Sequence, residues 1–486
     1  MFEFTGKLKR TTFILMLIGA VSIGASFFVG GEHHEADHTE HHESNAHHED
    51  GEHHEAEENH HEEANHESAA AGHGHGGHGD HPYHADPSEG DKFHKGASRS
   101  TRDHNHFYAS EEHHDAEHAH HQVANKPWAN LLVNNFFFLA IALGALFFLA
   151  IQYAAQAGWA IVVTRIMESM SQFLIIPGII MIVLIVLGLG HSHHIWHWMQ
   201  EGIMTPGTEN YDEIIAGKQA YLNGPFYVIR AVIYIIGWVG AAMLLRKMSK
   251  KLETTNDPNR LWVKMRNLSA GFLVFFAVTS STSAWDWIMS IDTHWFSTLF
   301  GWYVFAGMFV SALTVMTMLV LFLKKLGYLP EVNHSHIQDL GKFMFAFSVF
   351  WTYLWFSQFM LIWYSNIPEE VTYYMARWGE YKGLFFTMLA MNFIFPILIL
   401  MSRDTKRNYG FLVTAGIIMI IGHWLDVYIM VTPGTVGSHW SLGLIQLGTF
   451  LGYAGVFLFV VFSSLAKAKL MPEGHPMLQE SKYHHI

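Results

Sequence analysis

Apolar residues in this chain are grouped into ten long blocks, separated by short polar stretches and by one long polar segment. About 20 apolar residues in a helix span the hydrocarbon core of a bilayer, and a helix satisfies its own backbone polar groups there. The pattern therefore predicts an all-α integral membrane protein with about ten transmembrane helices. The predicted spans are 11–30, 131–157, 172–190, 225–246, 267–288, 296–323, 341–364, 383–401, 409–430 and 441–466.

Lysine and arginine are concentrated after the even-numbered spans, most densely between residues 246 and 266 after the fourth. These residues accumulate on the cytoplasmic side of membrane proteins. We therefore expect a multi-pass protein of the bacterial inner membrane with both termini in the cytoplasm. The long polar segment after the first span is then periplasmic.

The blocks divide the chain into four predicted segments. Residues 1–30 are predicted to form an N-terminal transmembrane helix, with an uncleaved signal-like anchor or a cleaved signal peptide as the alternatives, because basic residues precede the apolar run. Residues 127–470 form a membrane domain of nine helices. Residues 471–486 form a cytoplasmic tail.

The remaining segment, residues 31–126, has a composition unlike the rest of the chain. It holds 25 of the 37 histidines, with 23 Asp and Glu against 5 Lys and Arg. Because it lacks the apolar periodicity of a folded core, we expect a disordered extracytoplasmic loop. Weak metal binding or a pH-dependent charge is one interpretation of its histidines, and a plain solvated loop is the other.

A short internal repeat links the fifth and sixth spans to the ninth and tenth. The residues Asp286-Trp-Ile-Met, followed by His294-Trp-Phe-Ser, resemble Asp426-Val-Tyr-Ile-Met, followed by His439-Trp-Ser. An offset of four spans preserves the orientation in the membrane. The repeat thus predicts two parallel-repeat four-helix bundles, spans 2–5 and 6–9, with spans 1 and 10 peripheral.

Ionisable residues are biased towards the predicted periplasmic ends of the spans. Such residues are costly at membrane depth and usually functional, although each could instead hold helices together as a satisfied polar group. Carboxylates and histidines that extend from one surface into a helical bundle suit a proton path. The candidates are Asp286, Asp292, His294, His423 and Asp426, with Arg230 as a counter-charge.

Other chemistries have weaker support. Quinone binding needs hydrogen-bond partners and an aromatic slot, for which the candidates are His191, Trp287 and Tyr364. A bis-histidine haem is disfavoured because only His423 lies well inside a span. Metal transport would have His423 and Asp426 with little else in mid-membrane. The chain has no cysteine, which excludes iron–sulfur ligation and covalent haem attachment by this chain, and we assign it no catalytic residue.

Three stretches carry a resemblance to a known family: AWDWIMSIDTHWFSTLFGWYVFAG at 284–307, QFMLIWYSNIPEE at 358–370 and HWLDVYIMVTP at 423–433. They resemble the F subunits of bacterial alternative complex III, within the polysulfide-reductase, NrfD-like membrane proteins. The likeness covers most of residues 125–470. The histidine-rich segment is not part of it.

The resemblance implies a subunit of a quinol-oxidising respiratory complex that passes electrons to cytochrome c or to an oxidase. It implies ten helices in two bundles, and as partners a sister NrfD-like membrane subunit, an iron–sulfur/molybdopterin-like extracytoplasmic subunit, haem c subunits and in some complexes a terminal oxidase. Iron–sulfur clusters and haem c would belong to those partners, quinol or quinone is a possible ligand, and lipids surround the chain. A nucleic-acid partner is not expected. Proton conduction carries over as a hypothesis to Asp286, Asp292, His294, His423 and Asp426.

Two other classes of function stay open at this point. The chain could be an independent proton or metal-ion transporter, which would be active alone in liposomes. It could also be a purely structural subunit, in which case Asp286→Asn and Asp426→Asn would leave proton translocation unchanged.

Overall fold

The computed structural model describes residues 1–43 and 121–485, and within these ranges the chain contains helices and no β-strand. The first helix runs Gly6–Glu43, and its membrane-length apolar part, α1, is Gly6–Phe28. Ten helices in the described ranges are long and apolar enough to cross a membrane, which confirms the all-α prediction and the count. The other nine are α2 (Lys126–Ala154), α3 (Gly158–Leu189), α4 (Gly224–Lys251), α5 (Pro258–Ile291), α6 (Phe300–Lys325), α7 (His334–Ser365), α8 (Lys382–Leu400), α9 (Tyr409–His439) and α10 (Leu444–Leu465).

Most of the predicted histidine-rich loop, residues 44–120, lies outside the described residues, so its predicted disorder stays a prediction. Some helices differ in length from the apolar blocks. Helix α3 begins at Gly158, well before the predicted start at 172, because the stretch 158–171, which contains Arg165 and Glu168, is also helical. A short amphipathic helix, Pro368–Trp378, lies between α7 and α8.

Side-chain caps begin several of the long helices. Asn223, Asp257 and Asn408 each accept a hydrogen bond from a backbone N–H in the first turn of α4, α5 and α9. Asn333 forms a capping box with His336 at the start of α7. Because the first backbone N–H groups of a helix have no partner within it, these polar residues define where each apolar helix starts.

The α8 helix is interrupted in its middle. Residues Ala390–Ile394 form a π-helical turn, and Pro396 follows two residues later. Proline has no N–H to donate to the carbonyl four residues earlier, here that of Asn392. The hydroxyl of Ser348 on α7 donates to that carbonyl instead, so the irregular turn is tied to the neighbouring helix.

The helices pack around α2 and α6, which are the most buried of the ten. Successive helices from α2 to α5 contact one another, and α5 contacts α2; the same cycle of contacts runs from α6 to α9 and back to α6. Further contacts of α2 with α6 and α9, and of α5 with α6, join the two groups.

A face of small residues joins α1 to α10. A Cβ placed on Gly19 would lie 2.2 Å from the Cα of Gly452, and one placed on Gly455 would lie 3.0 Å from the carbonyl oxygen of Thr12. Such close backbone approach is the usual basis of helix association in a bilayer, where van der Waals packing is the main attraction. Helices α1 and α10 are therefore held to each other by complementary shape.

The bundle has two polar ends. We call the end with residues 191–197, the start of α4 and the ends of α5 and α9 the histidine face. The opposite end, called the basic face, holds a buried cluster in which Arg165 donates to Glu168 at 2.9 Å and to Glu253 at 2.6 Å. The hydroxyl of Tyr153 donates to the other oxygen of Glu168 at 3.0 Å.

The C-terminal segment, predicted as a tail at 471–486, is packed across the basic face in its described part. The Ser481 hydroxyl donates to the Trp159 carbonyl at 2.6 Å and accepts from the Val162 N–H at 3.2 Å. The His475 ring packs against Trp262, with 4.5 Å between ring centroids. Burial, and next the charge of Arg165, lower the pKa of His475 to about 4, so this imidazole is neutral when docked.

Candidate functional site

Asp286 lies in the last turn of the regular part of α5 and is almost completely buried. The Arg230 guanidinium on α4 donates to both of its carboxylate oxygens, Nε to Oδ2 and Nη2 to Oδ1, each at 2.9 Å. The Tyr234 hydroxyl donates to Oδ2 at 3.0 Å. This two-pronged pairing is the strongest geometry available to an arginine and a carboxylate. It places Arg230 where the sequence predicted a counter-charge.

The third donor of Arg230 fixes the guanidinium from the other side. Its Nη1 donates to the Tyr221 carbonyl at 2.9 Å, and the ring of Tyr221 lies 3.9 Å from the guanidinium carbon. Burial, and next the negative charge of Asp286, raise the pKa of Tyr221. The Tyr221 hydroxyl therefore stays protonated as a neutral cover over the ion pair.

Asp426 is the matching residue of the internal repeat and is equally buried, in the middle part of α9. Its Oδ1 accepts a hydrogen bond from the hydroxyl of Tyr303 on α6. Its Oδ2 accepts one from the indole N–H of Trp351 on α7, at 3.0 Å. Neither partner could be predicted from the sequence, because it does not show which face of α6 or α7 meets α9.

His423 lies one turn before Asp426 and is 1% exposed. Its Nδ1 is 4.0 Å from Asp426 Oδ2, which is too long for a direct hydrogen bond. Neither ring nitrogen has a hydrogen-bond partner among the described residues. The same holds for both side-chain polar atoms of Asn392 in the π-helical turn and for the Oε1 of Gln358.

Asp292 is linked to α9 by Arg377, which lies in the Pro368–Trp378 helix. Nη2 of Arg377 lies 3.2 Å from both Asp292 Oδ2 and the Met430 carbonyl, and its guanidinium carbon lies 3.3 Å from the centre of the Tyr373 ring. Burial outweighs the lowering effect of Arg377 and raises the pKa of Tyr373 to about 12. Arg377 thus links Asp292 to the turn of α9 just beyond Asp426.

His294 lies further out, on the surface of the histidine face. Its Nε2 is 2.6 Å from Asp212 Oδ2. Burial raises the pKa of Asp212, but the backbone N–H of Ile215 and the His294 ring outweigh it, so the net shift is downward. Because more than half of the His294 side chain is exposed, we regard this pair as a solvated contact.

An open cavity of about 500 Å³ lies at the histidine face beside these residues. Asp292, His294 and Arg377 line it, together with the histidines His121, His194 and His197. Two of the six proton-path candidates therefore border one polar cavity. Asp286 and Asp426 do not line it, and both are buried.

The three quinone candidates are not brought together in this cavity, which none of them lines. His191 is exposed and has a left-handed backbone conformation, with φ of 56°. Tyr364 is 84% exposed at the end of α7, whereas Trp287 is fully buried. The Trp287 ring packs edge-on against Trp238, with 5.8 Å between centroids, so it acts as core packing beneath the Asp286 pair.

No group of three or more His, Asp or Glu side chains within the described ranges is arranged to hold a metal ion. In its described ranges the chain is all-helical, with ten helices long and apolar enough to span a membrane, and buried ionisable groups lie at both ends of the bundle. No protein-family model matches this chain, and a search of curated proteins finds no match either.

Proposed function

We propose that this chain is a membrane subunit of a quinol-oxidising respiratory complex of the alternative complex III type, in which it provides scaffolding and a proton path. The observation that carries the proton path is the pair of buried carboxylates, Asp286 and Asp426, together with a polar cavity bordered by Asp292 and His294. Ionisable groups at such depth are expensive and are kept where protons or ions move.

In this proposal the histidine face is periplasmic and both termini are cytoplasmic, in a bacterial inner membrane. The cavity admits protons or releases them, and Asp292 with Arg377 connects it to the interior. The likeness of the three sequence stretches to the family supports the assignment to a respiratory complex. Electrons would pass through the iron–sulfur and haem c partner subunits, with this chain contributing no redox centre.

We also propose that α2–α5 and α6–α9 are two parallel-repeat bundles. Two closed cycles of helix contacts support this arrangement. Asp286 on α5 and Asp426 on α9 then occupy equivalent positions, each bonded by a tyrosine hydroxyl, from Tyr234 and Tyr303 respectively. The other side-chain partner differs, Arg230 for Asp286 and Trp351 for Asp426, which would mark different roles for the two bundles.

The first experiment is a pull-down of the full chain in mild detergent from its native membrane, followed by visible spectroscopy and mass spectrometry. The proposal expects c-type haem absorption bands that appear on addition of quinol, together with the partner subunits. A colourless chain that purifies alone would overturn it in favour of an independent transporter.

The second experiment separates a proton path from a purely structural role. Asp426→Asn in the assembled complex should retain the haem bands and reduce the number of protons translocated per electron. Gly24→Ala, at a position with nothing within 4 Å of a new Cβ, serves as the matched control. Full proton coupling in Asp426→Asn would show that this carboxylate is structural.

A further inference from the structure

The two buried carboxylates of the histidine face differ in what neutralises them. Asp286 has a full cationic partner, because Arg230 donates to both of its oxygens at 2.9 Å. Asp426 receives its two hydrogen bonds from Tyr303 and Trp351, which are neutral donors. In the part of the chain that the structure describes, no lysine or arginine forms an ion pair with Asp426.

The other titratable groups around Asp426 come from three elements. On its own helix the nearest is His423, 4.0 Å away. Helix α6 contributes Tyr303, and the Pro368–Trp378 helix contributes two tyrosines and one arginine. That arginine, Arg377, is already held by Asp292 and by backbone carbonyls. The groups from the short helix are Tyr373, Tyr374 and Arg377.

His423 and Asn392 supply polar atoms that have no partner among the described residues. Both nitrogens of His423 and both amide atoms of Asn392 are buried in this state. Asn392 lies against the backbone beside His423, since a Cβ on Gly422 would be 2.2 Å from Asn392 Oδ1. Buried polar atoms are nearly always hydrogen-bonded, to ordered water where protein groups are missing.

The π-helical turn explains why Asn392 is available for this purpose. Pro396 prevents a regular helix, and Ser348 takes over the freed carbonyl of Asn392. The side-chain amide of Asn392 is therefore not needed to repair the helix. Turns of this kind are common at functional sites, and here one lies beside the His423–Asp426 turn of α9.

We infer that Asp426 is the carboxylate of this chain that gains and loses a proton, exchanging it with His423 through a water molecule bound by Asn392, while Asp286 stays ionised against Arg230. The inference rests on the proposed proton path and narrows it to one titrating centre. The 4.0 Å separation of His423 Nδ1 from Asp426 Oδ2 suits a bridging water.

The exchange balances in charge and in atoms. The protonated imidazole of His423 gives its Nδ1 proton to the water, and the water gives a proton to Oδ2 of Asp426. Imidazolium and carboxylate become neutral imidazole and carboxylic acid, so this transfer leaves the net charge of the buried site unchanged. At alkaline pH the site releases the shared proton to water, which leaves neutral imidazole and carboxylate. Protonation of Asp286 would instead leave the guanidinium of Arg230 buried and unpaired, which is strongly unfavourable.

Infrared difference spectroscopy on the full chain in lipid nanodiscs tests this inference. Spectra taken at pH about 6 and about 9, where solvated carboxylates stay ionised, should show in H₂O and in D₂O a deuterium-sensitive carboxylic-acid band at the lower pH. The band should be absent in Asp426→Asn. It should persist in Arg230→Gln/Asp286→Asn, which removes the other carboxylate together with its counter-charge.

A second variant covers the case in which Asp426→Asn does not fold. Trp351→Phe keeps the carboxyl group and removes one of its hydrogen bonds, so the band should persist and change frequency. A band that ignores Trp351→Phe, or that disappears with Asp286 and not with Asp426, would overturn the inference. So would a band of constant intensity at all pH values, because Asp426 would then be permanently protonated.

These outcomes are independent of the respiratory assignment. A chain that purifies without haem partners would overturn the proposed function and still leave the infrared result to decide on Asp426. Conversely, a working quinol-oxidising complex in which the Asp426 band does not change with pH would support the proposed function and overturn this inference.

Discussion

The Arg230–Asp286 pair gives the sharpest prediction for stability. Arg230→Gln removes the cation and leaves Asp286, which is 1% exposed, without its main partner. Loss of one member of a buried ion pair costs about 3–5 kcal/mol, chiefly because the other charge stays buried and uncompensated. The two bonds lost to Asp286 are each 2.9 Å long, so we expect a value within this range.

The double variant Arg230→Gln/Asp286→Asn should be more stable than Arg230→Gln alone. It leaves no buried charge, and its remaining cost is that of weakened neutral hydrogen bonds, about 1–3 kcal/mol. A gain in stability on adding the second substitution indicates an electrostatic cause. If Arg230→Gln instead acted through lost packing, the double variant would be the less stable of the two.

The assay is denaturant-induced unfolding of the purified chain in detergent, followed by tryptophan fluorescence, since Trp287 and Trp238 lie beside the pair. The control is Glu473→Gln, which breaks an exposed pair with Lys469 and should leave the unfolding midpoint unchanged. The reasoning is refuted if Arg230→Gln behaves like Glu473→Gln, or if the double variant is no more stable than Arg230→Gln.

Three further predictions concern other parts of the molecule. Gly19→Val should lower the free energy of unfolding by about 1–3 kcal/mol through overpacking, whereas Gly24→Val, with nothing within 4 Å of its Cβ, should not. Because burial lowers the pKa of His475 from 6.5 to about 4, the released C-terminal segment binds a proton more readily than the docked one. Docking should therefore weaken up to about a hundredfold as pH falls from about 6.5 to about 4, seen as faster hydrogen exchange, and His475→Leu should remove this dependence. His294→Ala should change stability by less than about 1 kcal/mol, since its contact with Asp212 is solvated.

The sequence predicted the helices well because their signal is local. Each span is a run of apolar residues whose length matches a membrane, and cap residues such as Asn223 and Asn333 mark where helices begin. Arg230 could be proposed as a counter-charge because it lies inside a predicted span, near the end where the acidic candidates also lie. Its pairing with Asp286 follows from the contact of two consecutive helices.

The partners of Asp426 could not be predicted in the same way. Tyr303 and Trp351 come from helices far away in the sequence, and their bonds depend on how each helix is rotated about its axis. Apolar residues cover all sides of these helices, so periodicity does not fix that rotation. The link from Asp292 to α9 was missed for another reason: it depends on Arg377, in a short polar helix with no membrane signal.

The close approach of α1 and α10 has a consequence for how the protein is assembled. Gly19 and Gly452 belong to the first and last of the ten helices, so the small-residue face of α1 has no matching surface until almost the whole chain has entered the membrane. During insertion α1 would be free to pair with a small-residue face of another protein. A chain stopped before Leu444 would therefore leave the small-residue face of α1 unpaired, with Phe27 still in contact with Trp128 of α2.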